Sequence, residues 1–499
     1  MIGFELIILC FPGTQREVFC LTPQFLATGK MSQRPTNQTY FDTTHFRVHY
    51  DTTGTAGVDT KYVRLVAGVA EYCWEIEVDS MGFDEPPPDD TLGGSDIYDI
   101  YIIDLDGGLG YCATDGPGPD PDQEDYITYI AVAYDLDSLE KESVLSHEFM
   151  HACQMSYSAI DGDWFLENSA TWAMEMVYPD NNYYIGYLFG TSPFSRPNYE
   201  ITHCPYPNPD YYQYGGVAWP LFVMFWTGDT PVIEAFWDSM GLHLGDYSLE
   251  DMDGVLRRDY GDSLESALAD YAVWRWFTSI KWDDWHWSEA NLWPAVRTVR
   301  THSFYPADGD QGQLPIYGPG GADFIVFDSW GAAESLYLYF DGQDGYAWDA
   351  RVIGYRSGHD ISSDIYEIDV DANGYGTIAV PTLDYDSLIL VPYCLNWPDK
   401  TPGLSFIYWV NTVSVREQAA VESGLSGSLS GDCFRFNLPG TGSARVSVYD
   451  VGGRLVFGRE GIFEKGENRV KLGKRLQPGI YIWRLSFAEK STAGRSAIF

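Results

Sequence analysis

At 499 residues the chain exceeds one ordinary domain, and roughly two to four folding units are expected. Hydrophobic residues at 45% and aromatics at 16% are ample for packed cores, which excludes a disordered chain. A net charge of −42 would repel phosphate backbones, which argues against a nucleic-acid partner, and no apolar run reaches the length of a membrane span.

Residues 1–40 form an N-terminal segment. Residues 4–11 are apolar apart from Glu5, but no Lys or Arg precedes them and no cleavage site follows, as in a remnant leader. A mixed α+β domain is expected over 41–302. It opens with an alternating strand at 45–50, then a helix marked by Tyr62, Val66, Val69, Cys73 and Ile76. A Pro-rich loop at 85–90 leads to a strand at 97–104. Residues 104–111 are expected to carry an edge strand against which an extended peptide could pair. Their acidic side chains are candidates for Ca2+ ligands, with solvated turn acids as the competing account.

Residues 126–134 are β-branched and aromatic, as a buried strand requires. Asp137 and Ser138 follow as N-cap candidates, and Glu140 and Glu142 suit the positive end of a helix. That helix carries His147-Glu148-Phe149-Met150-His151, an H-E-x-x-H signature. Histidines four apart share one helical face, so both imidazoles can meet one ion. Glu148 is then set to act on a water at the metal rather than on the metal itself. Val144, Leu145, Phe149 and Ala152 would face the core.

A third ligand must come from further on. Six residues past His151 stands Tyr157, so a third histidine at that spacing is absent. Glu167, sixteen positions beyond His151 on a helix over 164–172, supplies a carboxylate instead. Asp161-Gly162-Asp163 provides the turn, with Asp163 as its cap. Two imidazoles and one carboxylate leave the fourth tetrahedral position of a Zn2+ ion open, as catalysis requires. Glu175, on the same helix, is expected to lie away from the metal. An oxyanion donor is also needed. Tyr214 is the first candidate, with Tyr212 and His203 behind it, although 36 tyrosines make packing a strong competing role. The eight cysteines, at 10, 20, 73, 112, 153, 204, 394 and 433, show no C-x-x-C spacing, which argues against cysteine-ligated zinc. Cys153 reads as a buried small hydrophobe.

Helical patterns dominate 217–280. From 303 to 413 short alternating stretches, such as 335–340 and 365–370, point to a β-sandwich. Asp369-Val370-Asp371-Ala372-Asn373-Gly374 begins like a calcium loop, but Val380 occupies the position of the bidentate glutamate, so a hairpin turn is expected. Residues 414–431 read as a linker and 432–499 as a small Ig-like β-sandwich. From Gly440 onward 11 basic residues face 5 acidic ones, a local charge of +6 against −42 for the whole chain.

His147-Glu148-x-x-His151 followed by the run Trp164 to Ala170 resembles the gluzincins. More closely, residues 45–50, 167–172 and 270–277 resemble a group of secreted bacterial metalloproteases, over about residues 41–300. The resemblance implies a zincin-like metallopeptidase domain in which Glu148 is the general base and His147, His151 and Glu167 are the ligands. Thr171 stands where some gluzincins place an aspartate that orients a ligand. Residues 444–456 and 476–485 resemble the C-terminal sorting domain of type IX secretion, which implies export machinery as a partner and a secreted or cell-surface location. The expected activity is hydrolysis of protein or peptide substrates, with an adhesin or binding protein on a degenerate peptidase scaffold as the alternative.

Overall fold

The computed structural model describes residues 20, 22, 33–119, 124–158, 162–205, 210–398, 400–413, 425–430, 433–450, 455–472, 476, 479–488 and 490–498. It is a multidomain, mixed α/β chain with five β-sheets among the described residues. Residues 4–11, Asp161 and most of the expected linker lie outside the described residues.

The first sheet contains β1 (Thr39–Asp42), β2 (Phe46–Tyr50), β3 (Tyr98–Ile103), β4 (Gly110–Pro117) and β5 (Tyr126–Ala133), in the order β1-β2-β3-β5-β4. β2, β3 and β5 are parallel, while β4 runs antiparallel to β5 at the edge. The edge strand thus begins at Gly110 and not at Asp104. Asp106 and Gly107 adopt φ of 50° and 99°, left-handed conformations that make 104–109 a turn. Strands buried on both faces read as continuous apolar runs, and residues 128–133 are all buried.

The connection between β2 and β3 includes helix α1 (Thr60–Trp74), capped by Asp59. β5 feeds helix α2 (Ser138–Gln154) through a short turn. Asp137 and Glu140 cap α2 reciprocally: the Asp137 carboxylate accepts from Glu140 N at 2.9 Å, and Asp137 N donates to the Glu140 carboxylate at 2.9 Å. α2 packs against α1, β4 and β5, and against α3 (Asp163–Val177), so every residue from Ser143 to Gln154 is buried. Gly162 (φ 47°), not Asp163, is the N-cap of α3, and Asp163 is its first residue.

Helices α4 (Ile185–Leu188), α5 (Tyr212–Gly215), α6 (Ala218–Thr227), α7 (Val232–Met240), α8 (Ser248–Val255) and α9 (Leu264–Trp274) complete this half. Among the described residues no helix is long and apolar enough to cross a membrane.

Residues 300–413 form two facing sheets. One holds β6 (Arg300–His302), β8 (Ile325–Phe327), β10 (Trp348–Tyr355), β11 (Asp364–Ile368) and β13 (Ser387–Cys394). The other holds β7 (Ala307–Asp310), β9 (Ser335–Gly342), β12 (Tyr375–Pro381) and β14 (Phe406–Val413). β11 and β12 lie in different sheets, so the turn at 369–374 is a corner between sheets and not the expected hairpin. The Asp371 carboxylate there accepts from Asn373 N and Tyr375 N, and its hydrogen-bonding capacity goes into the turn. Ala322, Phe324, Ile353, Ile389, Val391 and Tyr393 join the core of the helical half. Arg275, wholly buried, ties the two together by donating to Pro197 O and Gly320 O, each at 3.0 Å.

The C-terminal strands are β15 (Ser426–Ser430), β16 (Cys433–Leu438), β17 (Gly442–Asp450), β18 (Leu455–Phe463), β19 (Gly466–Lys471), β20 (Gly479–Phe487) and β21 (Lys490–Ile498). They make two sheets of their own around a separate core that includes Phe434, Val446, Val448 and Leu485. β15 falls inside the stretch read as linker, because Leu425 and Leu429 are needed to fill that core. A chain ended near residue 424 should therefore keep a cooperative thermal transition within a few degrees of the full chain's first transition. Circular dichroism melting checks this, and loss of cooperativity would show that the two regions share a core.

Candidate metal centre

α2 and α3 cross with their facing sides fully buried, and that crossing sets the site. His147 Nε2 and His151 Nε2 lie 3.1 Å apart. From α3 the Glu167 oxygens stand 3.2 Å from His147 Nε2 and 3.4 Å from His151 Nε2. All three side chains have no exposed surface. The sequence-predicted ligand set is thus brought together in space, while Glu175 lies elsewhere, where burial, with the Glu289 and Asp180 charges adding to it, pushes its carboxyl up to about 8.

These separations do not suit a network of ordinary hydrogen bonds. Both Glu167 oxygens lack hydrogen-bond alignment with any donor, and Glu148 Oε1 is buried without a partner. Donor atoms around a tetrahedral ion, with bonds of about 2.0–2.3 Å, stand about 3.3–3.6 Å from one another. The observed separations of 3.1, 3.2 and 3.4 Å lie at or slightly inside that spacing, and buried lone pairs of this number are otherwise costly. The donor set, two imidazoles and a carboxylate, therefore fits a divalent metal ion. Cys20 Sγ completes a group of four potential ligand atoms, all within 4.8 Å of one another, and it is the sole such group among the described residues. The acidic stretches considered for Ca2+ form no comparable cluster there.

The ligands are held by their neighbours. His151 Nδ1 donates to Gln154 Oε1 at 2.8 Å, which turns Nε2 toward the shared centre. The Gln154 amide nitrogen donates to Leu166 O at 3.1 Å and Ser169 Oγ at 2.9 Å, so one side chain ties both helices and the imidazole. Gln154 was not anticipated, although its place three residues after His151 puts it on the same face. Thr171 is buried with no hydrogen bond from its hydroxyl.

Electrostatics follows from burial. Desolvation pushes His147 down to about 4 and Glu148 up to about 7, with the Glu167 carboxylate adding to the latter. Burial would also raise Glu167, but His151 and His147 draw it down to about 2. Burial disfavours the charged form of His151 as well, yet facing Glu167 moves it upward overall.

Of the three oxyanion candidates, only Tyr214 reaches the site. Its ring centroid is 6.0 Å from that of His147, and its hydroxyl donates to Cys20 O at 3.4 Å. Tyr187, not singled out by sequence, stacks on Tyr214 at 5.1 Å. α5 can sit this close to α3 because a side chain at Gly216 would collide with the Asn168 amide. Tyr212 packs instead on Tyr199 and His203, and His203 pairs with Asp210 at 3.2 Å, which helps lift it to about 9 despite burial. Tyr157 points elsewhere, its hydroxyl accepting from Asp84 N at 2.7 Å. Cys153 is a core residue, as expected. Among the described residues no cysteine is in a disulfide.

No family model and no curated protein matches this chain. Similar solved structures include a β-glucuronidase from Ruminococcus gnavus bound to D-glucuronic acid, at 14% identity and a TM-score of 0.18, covering 36% of each chain. Another is a glycosyl hydrolase family 2 member from Bacteroides cellulosilyticus DSM 14838, at 13% identity and a TM-score of 0.19, covering 35% of this chain and 28% of that one. The chain thus spans about a third of the length of these structures.

Replacing Glu167 by Ala should weaken zinc binding by about 100-fold or more, whereas Glu175→Ala should leave it unchanged. Competition with a chromophoric chelator measures both, and equal loss in the two variants would move the third ligand away from Glu167.

Proposed function

We propose that residues 41–302 form a zincin-like, gluzincin-type peptidase domain that hydrolyses peptide bonds with Zn2+ held by His147, His151 and Glu167. The observation that carries this reading is Glu148. It is a fully buried carboxylate beside three converging ligand atoms, yet it is not one of them. A purely structural metal site has no use for a second, unneeded acid at such desolvation cost.

Zinc bound there would supply a Lewis acid that polarises the scissile carbonyl and acidifies a water. The chain's own residues do the rest. Glu148, buried beside the ligands, is placed to take a proton from the attacking water and pass it to the leaving nitrogen. The Tyr214 hydroxyl, already donating to a backbone carbonyl, is disposed to donate to the carbonyl oxygen as it gains charge. β4 is the edge strand of its sheet, bridged among the described residues by Cys20 at Gly110, and an extended substrate could pair there. Gly110 at its start lies so close to α2 that an added Cβ would meet Val144 at 2.6 Å and the Glu148 side chain at 3.1 Å. The C-terminal module, with its opposite charge and separate core, is read as a type IX secretion sorting domain that directs the enzyme out of the cell or to its surface.

Glu148→Gln should abolish casein cleavage while zinc stays bound, since the amide keeps the shape but cannot take the proton. Full metal occupancy with wild-type turnover would remove Glu148 from this role. Metal and peptide binding by the wild type without any cleavage would instead favour a binding protein. Tyr214→Phe should lower kcat by about 100-fold with little change in KM. A rise in KM alone would make Tyr214 a substrate-packing residue.

A further inference from the structure

The N-terminal segment enters the metal centre. Cys20 and Thr22 are both buried, more than a hundred residues in sequence from the helix they touch. Cys20 Sγ lies 3.6 Å from His151 Nε2 and 3.4 Å from Glu148 Oε2. A thiolate and an imidazole sharing one tetrahedral zinc stand about 3.5 Å apart, given bonds of about 2.3 and 2.0 Å. The sulfur is thus close enough to take the corner that the His147, His151 and Glu167 triangle leaves open, all four donor atoms lying within 4.8 Å of one another.

Every other group required for hydrolysis is engaged by the same segment. Thr22 Oγ1 donates to Glu148 Oε2 at 3.0 Å and accepts from Cys112 N at 2.8 Å. Thr22 N also donates to Cys20 Sγ at 3.3 Å, as a hydrogen bond that orients the sulfur. Tyr214 donates to Cys20 O. Cys20 forms a parallel bridge with Gly110, so it lies on the edge of β4. Further along, Arg34 is locked by Asp89 at 2.6 Å, by Asp115 and by Asp99, with its guanidinium over the Tyr129 ring. Three carboxylates around one largely buried cation form an anchor and not a casual surface contact.

We propose that Cys20, Thr22 and Arg34 act together as an intramolecular inhibitor: Cys20 is the fourth ligand of the metal, Thr22 occupies the general base, and Arg34 fastens this part of the chain to the catalytic domain. The inference rests on the peptidase reading for what is inhibited, but the ligand assignment stands on geometry alone. It differs from a permanent four-ligand structural site, because three ligands belong to packed helices whereas the fourth arrives on a separate segment. Tethering a ligand to the same chain gives it an effective concentration in the millimolar range, so one thiol can hold the site closed.

The test uses the full chain as wild type, Cys20→Ser and Cys20→Ala, each loaded with Zn2+ or Co2+. In the wild type the Co2+ form should show a thiolate-to-metal charge-transfer band in the near ultraviolet. Both variants should lose that band, keep one metal per chain, and cleave casein about tenfold faster or more, as expected if the wild-type site is open less than a tenth of the time. A wild-type Co2+ spectrum without the band overturns the inference with no variant needed. So does metal loss in both variants, which would make Cys20 a structural ligand, and so does wild-type cleavage as fast as the variants'. If the band behaves as expected but no form cleaves any protein, Cys20 remains the fourth ligand and the peptidase reading falls.

Discussion

Glu148 and Glu167 are buried side by side with two imidazoles where α2 crosses α3, and the surrounding architecture answers to that burial. Each carboxylate removed from water costs several kcal/mol unless opposite charge or hydrogen bonds replace the lost solvation. The two histidines cannot fully do so: burial pushes His147 toward its neutral form, and His151 has already committed Nδ1 to Gln154. A divalent cation would meet the deficit from both sides at once. Its presence would make the α2–α3 crossing a source of stability, so metal binding and the packing of this half are coupled.

The crossing is braced outward. Gln154 reaches from α2 to Leu166 and Ser169 on α3, and Trp237 on α7 donates to the same Ser169 hydroxyl at 3.1 Å. That chain of hydrogen bonds links three helices through buried, directional contacts, which fixes register more sharply than apolar packing alone. On the opposite side, β4 lies directly on α2 because Gly110 carries no side chain. The same closeness presents a strand edge beside the metal centre. An unpaired edge invites pairing with whatever extended chain is near, and here that chain is the protein's own residue 20. Site, edge and N-terminal segment are consequences of one another.

The two β-regions relate differently to this core. The sandwich of residues 300–413 lends six apolar residues to the helical half and is held to it by a buried guanidinium, so it belongs mechanically to that half. The strands from 426 onward fill their own interior and carry the opposite charge balance, as a removable module would.

Much of this was legible in the residues. The i, i+4 spacing of His147 and His151 forces a common helical face. Asp137 and Glu140 announce the start of that helix, and the β-branched run at 126–134 could hardly be anything but a buried strand. These are local rules, in which backbone geometry relates residues a few positions apart. What the chain could not reveal locally is which distant groups arrive at the centre. Tyr214 reaches it whereas Tyr212, two residues away, faces Tyr199 and His203, because the short turn of α5 points them in different directions. A search for paired cysteine spacing had no power over Cys20, a lone cysteine 127 positions before His147. Sequence by itself determined the two helices and the paired imidazoles that one of them presents on a single face. Tertiary structure alone decided that Cys20 and Tyr214 arrive beside those imidazoles and that the edge strand β4 lies against α2, since each depends on segments joined by packing across the fold and not by any period along the chain.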